Sequence, residues 1–168
     1  AVGVRGEHGL GCAEEQGCIG EIDFLCGTFG KALASVGGYV VCSRTVHDYL
    51  VNKMRTLIFT TALPPVNLMW TYFVIERLAQ FRDRRQHLQR LSFQLKEGLL
   101  APSHIIPLTI GESGATVWKA EELQRKGFYP LPVRPPTVPE GTSRIRFSLT
   151  AALTEDEISK LITTIGKR

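Results

Sequence analysis

The stretch Cys26–Val41, CGTFGKALASVGGYVV, places a single lysine between two segments that look like short strands. Residues 21–29 before it and residues 37–43 after it are apolar or β-branched and bounded by glycine, a pattern that predicts strands. Lys31 lies in the connection, with a glycine before it and small residues after it. The sequence therefore predicts a strand–loop–strand unit with a long charged side chain at its turn.

Lys31 does not belong to a P-loop, because that motif needs a glycine where Leu25 stands and a serine or threonine where Ala32 stands. Two interpretations remain. Lys31 is a surface lysine of the loop, or it is a nucleophilic amine whose neutral form is favoured by burial among the strands. In the second case the hydroxyl of Thr28 can bind a phosphate oxygen near the amine. An amine beside a phosphate anchor suits pyridoxal 5'-phosphate.

The rest of the chain changes from a helical to a mixed pattern. Two prolines open a helix with apolar residues at spacings of three and four, predicted to run from about 65 to 98 as a connector. Beyond it, two strand patterns alternate with two helix patterns, and a capping box at Thr154 opens the last helix. We expect an α/β chain with a partial large domain over 1–64, a long connecting helix over 65–98 and a small α+β domain over 99–168.

Five further side chains are candidates for binding. Arg146 lies on the polar face of an alternating strand, where it is either an exposed surface residue or a bidentate clamp for a carboxylate. Arg134 and Thr137 lie in a proline-rich loop, which is either a plain connector or a rigid loop that presents side chains. Thr60 and Thr61 either cap a turn or anchor a phosphate. The residues alone leave each of these alternatives open.

Composition and charge are typical of a soluble globular protein with a packed core. The 168 residues are 43% apolar and 21% charged, with a net charge of +4. The densest basic run, RDRRQHLQR, is typical of a solvated helix face, so we expect no nucleic-acid partner. No stretch has the ~18–20 apolar residues of a membrane span, and no signal peptide is recognised. The four cysteines lack zinc-ligand spacing, so we expect no metal and a reducing, cytoplasmic compartment.

Four motifs occur in order along the chain: AVGVRGEHGLG, GTFGKALASVGGYVV, TLIFTTALPP and RPPTVPEGTSRIRFSLTAALT. Together they resemble the α-oxoamine synthases, a family of fold-type-I enzymes that depend on pyridoxal 5'-phosphate. The resemblance covers the whole chain. It implies the C-terminal part of a pyridoxal-phosphate transferase fold: a remnant of the large-domain sheet, a long connecting helix and a small α+β C-terminal domain.

The resemblance implies a cofactor site in the first third of the chain. Lys31 matches the lysine that bonds to the cofactor and later moves a substrate proton. Thr28 matches a threonine that contacts the cofactor phosphate. Thr60 and Thr61 match a pair that reaches the phosphate from the partner subunit, which implies a homodimer with a shared site.

The resemblance also implies the substrates. Arg146 matches the arginine that holds the amino-acid carboxylate, Thr137 matches a threonine that contacts substrate, and Arg134 is placed near the acyl chain. The proline-rich motif is most similar to the members that condense L-alanine with a pimeloyl thioester, carried on coenzyme A or a carrier protein, in biotin biosynthesis. An alternative is another member of the family, such as 2-amino-3-ketobutyrate CoA ligase.

The resemblance spans only about the second half of a family member. The segment that precedes AVGVRGEHGLG in the family usually ends in DEAH, whose aspartate pairs with the ring nitrogen of the cofactor. We therefore expect the isolated chain to be an incomplete fragment without activity of its own. We also expect the strands at residues 22–43 to expose unpaired edges and apolar faces.

Overall fold

A computed structural model describes residues 1–96 and 103–166, and the chain divides into two compact units, Ala1–Arg85 and Gln86–Arg168. Each unit has its own sheet, of two strands in the first and three in the second. In these two stretches no helix is both long and apolar enough to cross a bilayer. The three predicted domains stay a prediction, since the end of the predicted connecting helix lies outside the described residues.

The first unit is a strand hairpin followed by helices. Its elements are α1 (Cys12–Glu15), a 3-10 turn (Ile19–Glu21), β1 (Phe24–Thr28), β2 (Gly38–Cys42), α2 (Arg44–Lys53), α3 (Arg55–Ile58), α4 (Pro65–Ile75), a second 3-10 turn (Leu78–Phe81) and the start of α5 (Arg82–Lys96). β1 and β2 pair antiparallel, with Phe24 opposite Cys42 and Thr28 opposite Gly38. The predicted strand–loop–strand unit is therefore present as a β-hairpin.

The helix predicted from about 65 to 98, either straight or with a bend, is interrupted: α4 ends at Ile75, and a 3-10 turn separates it from α5. The N–H of Arg77 bonds the carbonyl of Val74 at 3.0 Å, an i−3 bond that tightens the turn. The 3-10 turn that follows buries Leu78 against Phe29 and Leu33. Tertiary burial of Leu78 accounts for the break where the sequence pattern alone would continue the helix. Residues 97 and 98 lie outside the described residues.

A buried side chain bonds backbone carbonyls of the 3-10 turn that follows the break. Arg85 is 8% exposed. Its guanidinium donates to the carbonyls of Leu78 at 2.5 Å and Ala79 at 3.5 Å, and also to the carbonyl of Glu7. Because unpaired backbone carbonyls are costly when buried, Arg85 stabilises the turn.

The second unit is a three-stranded antiparallel sheet with helices. Its elements after α5 are β3 (Ile105–Gly111), α6 (Ser113–Arg125), β4 (Leu131–Val133), β5 (Ser143–Ser148) and α7 (Glu155–Ile165). β5 lies between β3 and β4, and α6 contacts all three strands. β4 falls in the stretch predicted as a proline-rich loop, and Pro132 is tolerated there because β4 is an edge strand.

The core of this unit comes from the buried faces of its elements. Ile106 and Leu108 of β3, and Ile145 and Phe147 of β5, are buried. The alternation predicted for SRIRFSLT is present, since Arg146 lies exposed between two of these residues. This half of the chain therefore has the predicted α+β organisation.

Helix α7 begins with the predicted capping box. The hydroxyl of Thr154 accepts the N–H of Glu157 at 3.2 Å, and the carboxylate of Glu157 accepts the N–H of Thr154 at 2.8 Å. The hydrogen bond from the backbone of Thr154 is the main reason that the pKa of Glu157 is lowered. The cap fixes the start of a helix that buries Ile158 and Leu161.

We expect Thr154→Ala to lower the free energy of unfolding by about 1 kcal/mol, because it removes the cap of α7. Urea denaturation followed by circular dichroism measures the change. Thr163→Ala, an exposed change inside the same helix, is the matched control and should cost nothing, because alanine is the better helix former. Equal losses in the two variants would contradict the role of the cap.

Candidate functional site

Lys31 lies in the loop of residues 29–37 that joins β1 to β2, called here the lysine loop. Three backbone hydrogen bonds of 2.9–3.0 Å hold this loop. The N–H of Phe29 donates to the carbonyl of Gly37, and the N–H of Ser35 donates to the carbonyl of Phe29. The N–H of Ala34 donates to the carbonyl of Lys31. The Lys31 side chain is exposed. Of the two interpretations of Lys31, the structure does not have the amine buried among the strands, because the loop extends beyond the paired residues.

The lysine loop is anchored from beneath by apolar side chains. Phe29, Leu33 and Leu78 form a buried cluster. Tyr39 stacks on Phe29 with ring centroids 5.3 Å apart. The ring of Tyr39 occupies the space that a side chain at Gly27 would need. The amine of Lys31 is thus presented from a loop whose underside is packed.

Helix α4 holds the same loop by hydrogen bonds that the sequence did not reveal. The indole N–H of Trp70 donates to the carbonyl of Leu33 at 3.0 Å. The hydroxyl of Thr71 donates to that of Ser35 at 2.8 Å, and Ser35 donates to the carbonyl of Asn67 at 3.3 Å. The one available sequence signal was a threonine inside the apolar run LMWTYFVI.

The glycine-rich segment, residues 1–11, touches the residue beside Lys31. Gly3 has φ +81°, and its N–H bonds the carbonyl of Gly9 at 2.7 Å. A Cβ at Gly3 would lie 2.7 Å from the Cβ of Ala32. Only glycine allows this close approach, so the segment and the lysine loop form one packed surface.

The carboxylate of Glu14 organises the same segment. It accepts the N–H of Leu10 at 2.9 Å and that of His8 at 3.0 Å, and the Nδ1 of His8 lies 2.6 Å away. Partial burial raises the pKa of Glu14, but these hydrogen bonds together outweigh it, so the pKa is lowered overall. The ionised form of Glu14 therefore stabilises the segment.

The three threonines predicted to bind phosphate are exposed. Thr28 ends β1, opposite Gly38 and three residues from Lys31. Thr60 and Thr61 lie between α3 and α4. Leu63, which follows them, packs against the cluster beneath the lysine loop. Their contact with a phosphate stays a prediction.

The remaining candidates lie in the second unit and are exposed. Arg146 is paired in register with Leu131 of β4, and its Nε donates to Ser148 at 3.2 Å. Arg134 directly follows β4, and its carbonyl accepts the N–H of Thr137 at 3.0 Å. Arg146 thus lies on β5, next to β4, while Arg134 and Thr137 lie in the loop that directly follows β4. Their binding roles stay predictions.

Comparison with known sequences identifies relatives along nearly the whole chain. A family model described as aminotransferase class I and II matches residues 2–165. A putative 8-amino-7-oxononanoate synthase of Glaesserella parasuis is 54% identical over 98% of this chain and 46% of its own length. The 8-amino-7-oxononanoate synthase of Haemophilus ducreyi is 54% identical over 96% of this chain and 44% of its own length. The chain therefore spans less than half the length of these relatives.

Solved structures have the same fold over a similar share. A serine palmitoyltransferase of Sphingomonas wittichii matches with a TM-score of 0.88 at 31% identity, over 97% of this chain and 43% of its own. An 8-amino-7-oxononanoate synthase of Francisella tularensis matches with a TM-score of 0.81 over 98% of this chain and 51% of its own; at 24% identity it bears on the fold alone. The predicted α/β class, part of a pyridoxal-phosphate transferase fold, is confirmed.

We expect Gly3→Ala to lower the free energy of unfolding by roughly 2–4 kcal/mol, because the new methyl group combines backbone strain with overlap against Ala32. Gly17→Ala is the matched control, since Gly17 also has a positive φ but has nothing within 4 Å of an added Cβ. It should cost only ~1–2 kcal/mol. Urea denaturation measures both, and equal losses would rule out the contact with Ala32.

We expect the stability of the first unit to depend on Glu14 at acid pH. Because its folded pKa is lowered from 4.5, its contribution is present above about pH 4.5 and is lost as pH falls through the folded value. Glu14→Gln should flatten this part of the profile, measured by denaturation between pH 7 and pH 3. Glu15→Gln, which removes an exposed ion pair with Arg5, serves as control. A wild-type slope in Glu14→Gln would refute the assignment.

Proposed function

Since this chain belongs to the aminotransferase class I and II family, we propose that it carries the lysine side of a pyridoxal 5'-phosphate site. The observation that carries the proposal is the setting of Lys31. Its amine is accessible, while the loop that bears it is closed by its own backbone hydrogen bonds and packed from beneath. An accessible nucleophile on a fixed backbone is what covalent attachment of a cofactor requires.

The groups around Lys31 fit the chemistry of that cofactor. Its aldehyde needs an amine with free space around it, and Gly30 and Ala32 are small and exposed. Its phosphate needs hydroxyl or N–H donors, and Thr28 offers a hydroxyl three residues from the amine. Thr60 and Thr61 are the further hydroxyls that we assign to the phosphate.

When bound, the cofactor supplies an electron sink for the substrate carbon, and the chain supplies position and proton transfer. In our proposal the amine of Lys31 removes and holds the proton of the amino acid. The guanidinium of Arg146 binds the amino-acid carboxylate, for which its two parallel N–H donors are suited. Thr137 and Arg134 contact the acyl substrate.

We place this chain in an 8-amino-7-oxononanoate synthase, which joins L-alanine to a pimeloyl thioester with loss of carbon dioxide. Identity to curated sequences supports this choice over other family members. The putative synthases of this name from Pasteurella multocida and Neisseria meningitidis are 52% and 56% identical to this chain, whereas the serine palmitoyltransferase is 31% identical and the Francisella tularensis synthase 24%. Because the chain covers less than half of those relatives, the complete activity is a proposal about the whole enzyme.

We propose a homodimer as the assembly. Helix α4 leaves most of its apolar side chains in water, with Met69 at 73% and Val66 at 70% exposure. Exposed apolar surface of this kind usually marks an interface, since its burial stabilises by roughly 25 cal/mol per Å². Thr60 and Thr61 immediately precede this helix, in agreement with a phosphate contact made across the dimer.

We expect pyridoxal 5'-phosphate to attach to Lys31 of this chain. Borohydride reduction followed by peptide mass spectrometry should find the label on the peptide that contains Lys31, together with a new long-wavelength absorption band. Lys31→Ala should lose both, whereas Lys53→Ala, an exposed lysine at the end of α2, should keep them. A wild-type chain without label at Lys31, or with equal label at Lys53, would refute the proposal.

The amino-acid substrate is tested on the same loaded chain. L-alanine should perturb the absorption band at lower concentration than L-serine or glycine. A stronger response to L-serine or glycine would favour another member of the family. Arg146→Lys keeps the positive charge but loses the two parallel N–H donors. Its response to L-alanine therefore shows whether the carboxylate is bound by charge alone or by the bidentate geometry of arginine.

A further inference from the structure

Helix α4 is buried on an unexpected side. Its buried residue is Thr71, at 5% exposure, whereas Met69 and Tyr72 beside it are 73% and 63% exposed. A helix docked by the hydrophobic effect would bury the large apolar residues instead. On the side that α4 turns toward the lysine loop, hydrogen bonds therefore act together with the packing of Val74 on the cluster beneath the loop.

The hydrogen bonds from α4 are made to Leu33 and Ser35, the two neighbours of Ala34, whose backbone is strained. Ala34 has φ +48°, the left-handed region, which costs a residue with a Cβ ~1–2 kcal/mol. Among the described residues it is the one non-glycine with a positive φ. Trp70 bonds the carbonyl of Leu33 just before it, and Thr71 bonds the hydroxyl of Ser35 just after it.

The hydroxyl of Ser35 is fixed twice. It accepts from Thr71 at 2.8 Å and donates to the carbonyl of Asn67 at 3.3 Å, so its donor and one of its two acceptor sites are used by α4. With the indole of Trp70, these contacts form what we call the α4 clamp: Asn67, Trp70 and Thr71 on Leu33 and Ser35. A strained turn persists only where its surroundings hold it in place.

The strained turn is coupled directly to Lys31. The N–H of Ala34 donates to the carbonyl of Lys31 at 3.0 Å. If the turn relaxes to a negative φ, this bond and the backbone direction at Lys31 change together. The clamp therefore controls the backbone from which the amine extends, without touching the amine itself.

We propose that Thr71 and Trp70 are positioning residues for Lys31, and that the α4 clamp keeps the lysine loop in the conformation in which the amine reacts with an aldehyde. In that reaction Nζ attacks the carbonyl carbon, a C=N bond replaces the C=O bond, and the oxygen leaves as water with both amine protons. The inference rests on the proposed function of Lys31.

The first experiment needs no cofactor. Hydrogen exchange of the amides of Ala34 and Ser35 reports how often the turn opens. Thr71→Val keeps the shape of the side chain but removes the donor, so it should speed their exchange about fivefold or more. Thr71→Ser keeps the hydroxyl and should retain wild-type protection. Thr45→Val, an exposed change in α2, is the matched control.

The second experiment measures the rate of attachment of pyridoxal 5'-phosphate to Lys31, trapped with borohydride at successive times. Thr71→Val and Trp70→Phe should each slow it about fivefold, and Thr71→Ser should restore it. Trp70→Phe keeps an aromatic ring facing Phe73 while losing only the N–H donor. Circular dichroism checks that each variant folds. If Thr71→Val does not fold, the attachment rate of Trp70→Phe decides whether the clamp positions Lys31.

A double-variant cycle tests the strain argument. Glycine carries no penalty at φ +48°, so Ala34→Gly should make the loop less dependent on the clamp. Thr71→Val should then slow attachment less in the Ala34→Gly background than in the wild type. Equal slowing in both backgrounds would refute the role of strain.

The outcomes separate the two proposals. If the wild-type chain does not label at Lys31, the proposed function fails, and amide exchange still decides whether the clamp holds the turn. If the wild type labels but Thr71→Val and Trp70→Phe match it in rate and exchange, the clamp proposal alone is overturned. A loss in Thr71→Ser as large as that in Thr71→Val would also overturn it, since the hydroxyl would not be responsible.

Discussion

The burial of Leu33 beneath its own loop is the contact on which the first unit depends. Leu33 is 2% exposed and meets Phe29, the first residue of the lysine loop, and Leu78 of the turn after α4. The lysine loop, which contains both Phe29 and Leu33, is thereby joined to a turn that lies far along the sequence. The interruption of the helix and the closure of the hairpin loop are both consequences of this small apolar cluster.

The second unit depends on the two faces of β5 in a comparable way. Ile145 and Phe147 supply the core, and Arg144 and Arg146 alternate with them on the other face. A shift of one residue in register would bury both arginines and expose the core side chains. The same period that builds the sheet therefore fixes which side the cationic groups occupy.

Sequence patterns predicted the elements whose signals are local. The hairpin, β3, β5 and the capped helix α7 each carry their periodicity or cap within a few residues. The break after α4 could not be predicted in this way, because the helical spacing continues through it and Leu78 is drawn out by distant partners. β4 was concealed by the prolines around it.

The candidate site shows the same division. Lys31 and Thr28 were singled out as candidates by their local motif, but the sequence left open whether the amine is exposed or buried. The hydrogen bonds between α4 and the lysine loop join pairs of residues that are 32, 36 or 37 positions apart, and such pairs leave no periodic trace in one sequence. A polar residue in an apolar helix was the visible sign, and its meaning required the fold.

The pairing of Gly27 with Tyr39 in the hairpin has a consequence for how this chain can vary. The two residues lie opposite each other in register, and the aromatic ring of one fills the space that a side chain on the other would take. The side chains of residues 27 and 39 therefore have to fit into the same space. Mutational drift can redistribute that volume between the two positions but cannot enlarge it, so a larger residue at position 27 becomes acceptable only after position 39 has become smaller.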